Sequence, residues 1–188
     1  MKKNSFWGFI TETALLLIVA YILAILFQTF LYQPFKVEQG SMTPTLIEGE
    51  RIFVSKISYI FGKPKRKDIV TLLSPKEPPM PTLKYGIFPV MEKRTLVKRI
   101  IGLPGDTVVI KAGKTYINGK AIDEPYIKLP DPADYGPYEV PKNNYFAMGD
   151  NRAGSRDSRD PSIGFIPAKN ILGKAVVVYW PINDVRLL

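Results

Sequence analysis

From Ala14 to Phe27 the chain reads ALLLIVAYILAILF without a polar interruption, and only Gln28 and Thr29 break the run before Tyr32. As a helix, the 19 residues from Ala14 to Tyr32 rise about 28 Å, close to the hydrocarbon thickness of a bilayer. A core helix would carry a polar face, and this run has none. A cleavable leader is the rival reading, but Tyr32-Gln33-Pro34-Phe35 offers no small-x-small cleavage site. The pattern therefore divides the chain into an N-terminal segment 1–13, a transmembrane helix over 14–33 and a domain over 34–188. Lys2 and Lys3 favour a cytoplasmic N-terminus, with Glu12 weakening the flank. The domain then lies outside the cytoplasm.

Beyond Phe35 the periodicity changes. Short β-branched and aromatic runs at 51–54, 69–73, 95–101, 107–111, 114–117, 145–148 and 174–180 are separated by Pro and Gly, which predicts strands joined by turns. Asn118-Gly119 after Thr115-Tyr116-Ile117 is a hairpin signal. The expected fold is mainly β: one antiparallel β domain behind one helix. A small β and loop excursion falls at about 107–145, and the proline-rich, acidic stretch 123–142 is its surface part.

Composition narrows the chemistry. The chain of 188 residues has no Cys and no His. Thiolate nucleophiles, Ser-His-Asp machinery and His- or Cys-ligated metals are excluded, and no cofactor or metal is expected. Hydrolysis would have to run on Ser or Thr, Lys, Tyr, carboxylates or backbone. The formal charge of +9 is spread along the chain apart from Lys63, Lys65, Arg66 and Lys67. That suits a basic surface near anionic lipid better than a nucleic-acid site, which needs a basic stripe with interleaved aromatics.

Three separated segments carry candidate chemistry: Gly40-Ser41-Met42-Thr43-Pro44-Thr45-Leu46, then Val97-Lys98-Arg99-Ile100-Ile101-Gly102-Leu103-Pro104-Gly105-Asp106, then the run from Met148 to Arg159 containing Gly149-Asp150-Asn151-Arg152 and Ser155-Arg156-Asp157-Ser158-Arg159. Each alone has a plain structural account: a turn-capping Ser, a strand ending in a Pro-Gly bend, a satisfied charged loop. Together, in this order behind a membrane helix, they resemble the motif boxes of type I signal peptidases. These are membrane-anchored serine endopeptidases with a β fold shared with LexA-like proteins, and they remove signal peptides from exported preproteins. The resemblance runs from the anchor to near Trp180.

What the resemblance implies is specific. Ser41 is the nucleophile and Lys98 its general base; Ser155 orients the Lys98 amine; Asp157 and Arg159 form an ion pair shaping the site; Asp150, Asn151 and Arg152 hold the loop. The oxyanion is held by the Ser41 backbone N–H. Some family members carry Ser and others Gly two residues before the nucleophile; Gln39 stands there here, so the second donor is left open between its carboxamide and a backbone N–H. Val37, Met42, Leu46 and Val97 bind substrate, with small side chains preferred at P1 and P3. The partners are signal peptides and the lipid bilayer, and the location is the bacterial plasma membrane with the catalytic domain outside.

The residues read by themselves agree with that assignment. Without imidazole, Lys is the side chain able to act as a base near neutrality once burial disfavours its ammonium. In a strand, Lys98 shares a face with Leu96 and Ile100, and Arg99 points the other way. From Phe35 to Ser41 is six residues, about 20 Å if extended, so Ser41 stays near the bilayer surface. The apolar runs 57–61 and 80–91 suit either lipid contact or ordinary packing. Three rivals stand beside this reading. A LexA-type self-cleaving repressor would carry a DNA-binding domain where this chain has its helix. A peptidase dedicated to one exported substrate would need profiling to distinguish. An anchored binding module would not need both Ser41 and Lys98.

Overall fold

The structure, a computed structural model, describes residues 6–26, 32–76, 80–84, 88–92 and 94–188. The apolar run forms α1 (Phe6–Leu26). Residues 9–24 are exposed on every face of this helix. Among the described residues no helix is long and apolar enough to cross a membrane. The expected boundaries also shift. The helix begins inside the segment 1–13, residues 27–31 of the expected span lie outside the described residues, and Tyr32 and Gln33 already belong to a strand. That strand is held by its antiparallel partner, Tyr32 opposite Ser55 and Gln33 opposite Val54.

The strands are β1 (Tyr32–Lys36), β2 (Arg51–Ser55), β3 (Ile69–Leu73), β4 (Met80–Lys84), β5 (Phe88–Glu92), β6 (Thr95–Gly102) and β7 (Thr107–Lys111). There follow β8 (Lys114–Ile117), β9 (Lys120–Ala121), β10 (Tyr135–Glu139), β11 (Asn144–Met148), β12 (Ile166–Pro167), β13 (Ile171–Trp180) and β14 (Arg186–Leu187). All pairings among the described residues are antiparallel. The main sheet runs β1-β2-β13-β3-β6-β11-β12, with β14 on β13; β10-β7-β8-β9 form a second sheet, and β4 and β5 a hairpin of their own. The second sheet lies within the stretch read as an excursion, while β11 returns to the main sheet.

Local chemistry explains the turns. Asn118 and Gly119 have φ of +51° and +81°, the two left-handed positions that a two-residue hairpin needs, and Ile117 pairs with Lys120 across them. Ala112-Gly113 makes the same kind of turn between Lys111 and Lys114. Ala seldom adopts positive φ, so the residues themselves carry no hairpin signal there.

The core is in three connected pieces, and two of them underlie the site. Beneath the Ser41 segment lie Met42, Leu46, Ile52, Val54 and Val178, all at most 2% exposed. Across the sheet, Val70, Leu72, Leu96, Ile100 and Ala147 pack on one another. Each fully buried aliphatic side chain contributes roughly 1.5–3 kcal/mol. β3 and β6 are thus covered on both faces, which is why 96–102 are buried without alternation. The third piece, around Val108, Ile110 and Phe146, joins the second sheet to the main one.

Pairing leaves two strand edges open. β1 ends the main sheet, paired among the described residues with β2 alone. β6 meets β11 only from Arg99 onward, so its first half, 95–98, has a partner strand on the β3 side alone among the described residues.

Candidate active site

Ser41 sits in a single 3-10 turn, Gly40–Met42, entered through Gln39 in extended conformation. Met42, 1% exposed, pins the turn to the core. The other side is held by the loop after β11. The Asn151 backbone N–H donates to the Ser41 carbonyl at 3.1 Å, and its side-chain amide donates to the Gly40 carbonyl at 3.2 Å. Two segments more than a hundred positions apart are thereby fixed to one another.

Lys98, midway along β6 and 3% exposed, donates from Nζ to Ser41 Oγ at 2.7 Å. Its amine is brought down to about 8, chiefly by burial, with Asp157 and Asp150 opposing and Arg94 and Arg159 assisting. The neighbouring cation is kept out of the way. Arg99 turns to the opposite face and binds Asp150 with both Nε, at 2.8 Å, and Nη2, at 2.6 Å. Thr45 donates to the same carboxylate. The Arg99 guanidinium lies 3.9 Å from the Tyr126 ring centre. Among the described residues, then, a buried amine and a hydroxyl meet at bonding distance, with carboxylate-paired arginines around them.

Asp157 and Arg159 form a pair through Nε at 2.9 Å and Nη2 at 2.9 Å. Asp157 also accepts the Gly149 N–H at 3.0 Å. Arg159 is shared with Asp131 at 2.9 Å. Arg152 donates to the Gly149 carbonyl at 3.1 Å and to Glu124 at 2.6 Å. Gly149 has no room for a side chain, since a Cβ there would collide with Ser155 and the Ser41 carbonyl.

The Ser155 side chain packs over Gly149, where its buried hydroxyl has no hydrogen-bond partner among the described residues. Leu46, at 0% exposure, packs in the core below the turn together with Met42.

The cleft itself is a groove of about 700 Å³ running between 34–39 and 94–98, with Ser41 and Lys98 at one end. Val37, Met42 and Val97 line it, as does Gln39, whose side chain makes no hydrogen bond to the turn it precedes. Its walls are the two open strand edges. Sequence reasoning passed over Arg94 in the groove, and over Glu124, Tyr126 and Asp131, which brace the three site arginines. Thr45 sat inside a motif already singled out, but nothing in the chain linked it to Asp150.

Comparison with known proteins follows the same outline. A family model described as signal peptidase, peptidase S26, matches residues 10–180. The chain is 40% identical over 197 residues to signal peptidase I of Bacillus licheniformis, covering 98% of this chain and 94% of that protein. It is 39% identical over 198 residues to signal peptidase I S of Bacillus subtilis, covering 98% and 95%. With the probable signal peptidase I-2 of Synechocystis it shares 41% over 172 residues, covering 92% and 74%. A crystal structure of a signal peptidase I from Enterococcus faecalis is 29% identical and covers 60% of this chain and 96% of that one, with a TM-score of 0.45.

Proposed function

The chain belongs to the peptidase S26 family of signal peptidases, and from that premise we propose that it cuts signal peptides from exported preproteins with Ser41 as nucleophile and Lys98 as general base. It is a serine endopeptidase by that membership. The observation that carries the dyad is the 2.7 Å contact between Lys98 Nζ and Ser41 Oγ, made by a lysine that is 3% exposed.

With the amine neutral the contact reverses: the Ser41 hydroxyl donates to the Nζ lone pair, and Oγ attacks the scissile carbonyl as Nζ takes the proton. The ammonium then protonates the leaving amine, which frees the mature protein and leaves an acyl ester on Ser41. Neutral again, Nζ draws a proton from water, the hydroxide attacks the ester, and the serine is restored. The Ser41 backbone N–H, with Gln39 beside it, holds the oxyanion. Asp157 and Arg159 act at one remove by fixing the Gly149 backbone on which the Ser41 carbonyl rests.

The substrate lies extended in the groove and adds a strand to the open edges of 34–39 and 94–98. Its P1 and P3 side chains turn toward Val37, Met42 and Val97, which admit small residues; Leu46 forms the floor beneath. α1 and the residues that follow it anchor the chain in the bacterial plasma membrane, N-terminus inside and β domain outside. The apolar side chains exposed all round 9–24 support that placement.

The test is cleavage in detergent of two unrelated preproteins. Ser41→Ala is expected to abolish both reactions while the thermal unfolding midpoint stays in place, and Lys98→Arg to be equally inactive because a guanidinium keeps its proton. Turnover by Ser41→Ala above a few percent removes the nucleophile, and near-normal turnover by Lys98→Arg removes the base.

A further inference from the structure

The loop that carries Ser41 is closed at its neck by backbone pairing. The Val37 N–H donates to the Glu50 carbonyl at 2.9 Å, and the Gly49 N–H to the Val37 carbonyl at 2.8 Å. Inside the loop the Leu46 N–H donates to the Met42 carbonyl at 3.0 Å, which makes one unit of the turn and the residues after it. Asn151 holds the outgoing limb at Gly40 and Ser41. The returning limb is held from a different element. Arg186, the first residue of β14, donates from Nη2 to the Thr45 carbonyl at 2.8 Å and to the Glu50 carboxylate at 3.0 Å. Its Nη1 lies 2.9 Å from the other oxygen of that carboxylate and also meets the exposed Asp184. Glu50, 4% exposed, accepts the Ile47 N–H at 3.0 Å as well. β14 is itself fixed to the main sheet: Arg186 lies opposite Val178 of β13, and the Leu188 N–H donates to the Val176 carbonyl at 3.1 Å.

Resting on the signal-peptidase reading, we infer that Arg186 is a positioning residue for the nucleophile: it ties the Thr45 carbonyl to Glu50 and to β13, and so keeps Ser41 Oγ at bonding distance from Lys98 Nζ. Thr45 is the residue through which it acts. The Thr45 carbonyl accepts from Arg186 and the Thr45 hydroxyl donates to Asp150. Asp150 in turn holds Arg99, the neighbour of Lys98 on β6. The nucleophile's loop and the base's strand are therefore joined at Thr45, and Arg186 sets where that joint stands on the sheet. A guanidinium suits the task, because its planar fork serves a carbonyl and a carboxylate at once. Arg186, Thr45 and Glu50 all lie outside the lining of the substrate groove. The effect of Arg186 thus falls on the geometry of the reacting atoms rather than on binding. A misplacement of about 1 Å costs roughly a hundredfold in rate; Asn151 and Asp150 stay in place without Arg186, which sets that figure as the upper end.

The test measures kcat and KM on one preprotein with the full chain in detergent, with Ser41→Ala as the blank. Arg186→Gln is expected to lower kcat by about ten- to a hundredfold and to leave KM within about twofold of wild type. The rate is still expected to rise through about 8, because Arg186 is not among the charges acting on the Lys98 amine. A fold merely loosened would admit water to that amine and move the rise toward its ordinary 10.5. Arg186→Gln leaves Glu50 buried without its cation, so Arg186→Gln/Glu50→Gln, which removes both charges, carries the test if the single variant does not fold. Its kcat is expected to be as low as that of the single variant, with a urea midpoint closer to wild type. A kcat within about twofold of wild type in a folded variant, a loss that falls on KM instead, or a rise displaced toward 10.5 overturns the positioning role and leaves the peptidase reading intact. Cleavage by Ser41→Ala at the wild-type rate, or none by wild type, overturns that reading itself.

Discussion

Lys98 carries opposed demands: its amine has to be buried to lose a proton, and burial penalises the fold whenever the proton is present. With the folded value at about 8 against an ordinary 10.5, kcat/KM is expected to rise as pH increases through about 8. Stability follows from the same shift. Between about 8 and 10.5 the unfolded chain binds a proton that the fold does not, so this group's contribution to stability rises with pH across that window. Below about 8 both states hold the proton and the fold carries the whole penalty, about 3 kcal/mol for a shift of this size. Lys98→Met is therefore expected to be inactive but more stable than wild type at pH 7, with the gap closing toward pH 10.5. Urea midpoints at the two pH values measure it, and a gap that does not change with pH contradicts the burial of an ionisable amine.

At the level of elements, the second sheet and the segment between β9 and β10 brace the catalytic loop rather than decorate the surface. Glu124 takes Arg152 by two contacts, at 2.6 and 3.1 Å, and accepts the Tyr126 hydroxyl at 2.8 Å. Both partners of this pair are nearly excluded from solvent, with side-chain exposures of 3% and 6%. Removing one member of a buried pair costs about 3–5 kcal/mol, because the other charge is left without compensation, while replacing both by apolar residues costs far less. Glu124→Gln is thus expected to destabilise by about 3 kcal/mol and to reduce turnover through the Gly149 backbone that Arg152 holds. The Glu124→Met/Arg152→Met pair is expected to recover most of the stability. Thermal unfolding of the three variants checks this; a double variant as unstable as the sum of its parts would show that the pair does not act as a unit.

For the whole molecule, the proposed anchor rests on the apolar side chains exposed along α1, and a formal charge of +9 would favour anionic lipid beside it. Expressed in a bacterium, the protein is expected to stay with membranes through alkaline carbonate. Protease added outside spheroplasts should remove the β domain and spare an N-terminal tag. Release by carbonate contradicts the anchor, and loss of the tag with survival of the domain contradicts the orientation.

What the sequence determined by itself was local or eliminative. The lack of His and Cys excluded imidazole and thiolate chemistry, a matter of side-chain composition that no fold alters. Asn118-Gly119 specified its hairpin because the backbone preference resides in those two residues, and the β-branched runs specified strands for the same reason. Tertiary structure decided everything that depends on distant residues meeting. Ser41 and Lys98 are 57 positions apart, and Asn151 reaches Gly40 across 111; sheet order brings them together, and no local pattern encodes it. Leu46 packs in the core and Ser155 packs over Gly149, contacts that no local pattern along the chain encodes. Glu124 read as an ordinary surface charge until folding buried it against Arg152.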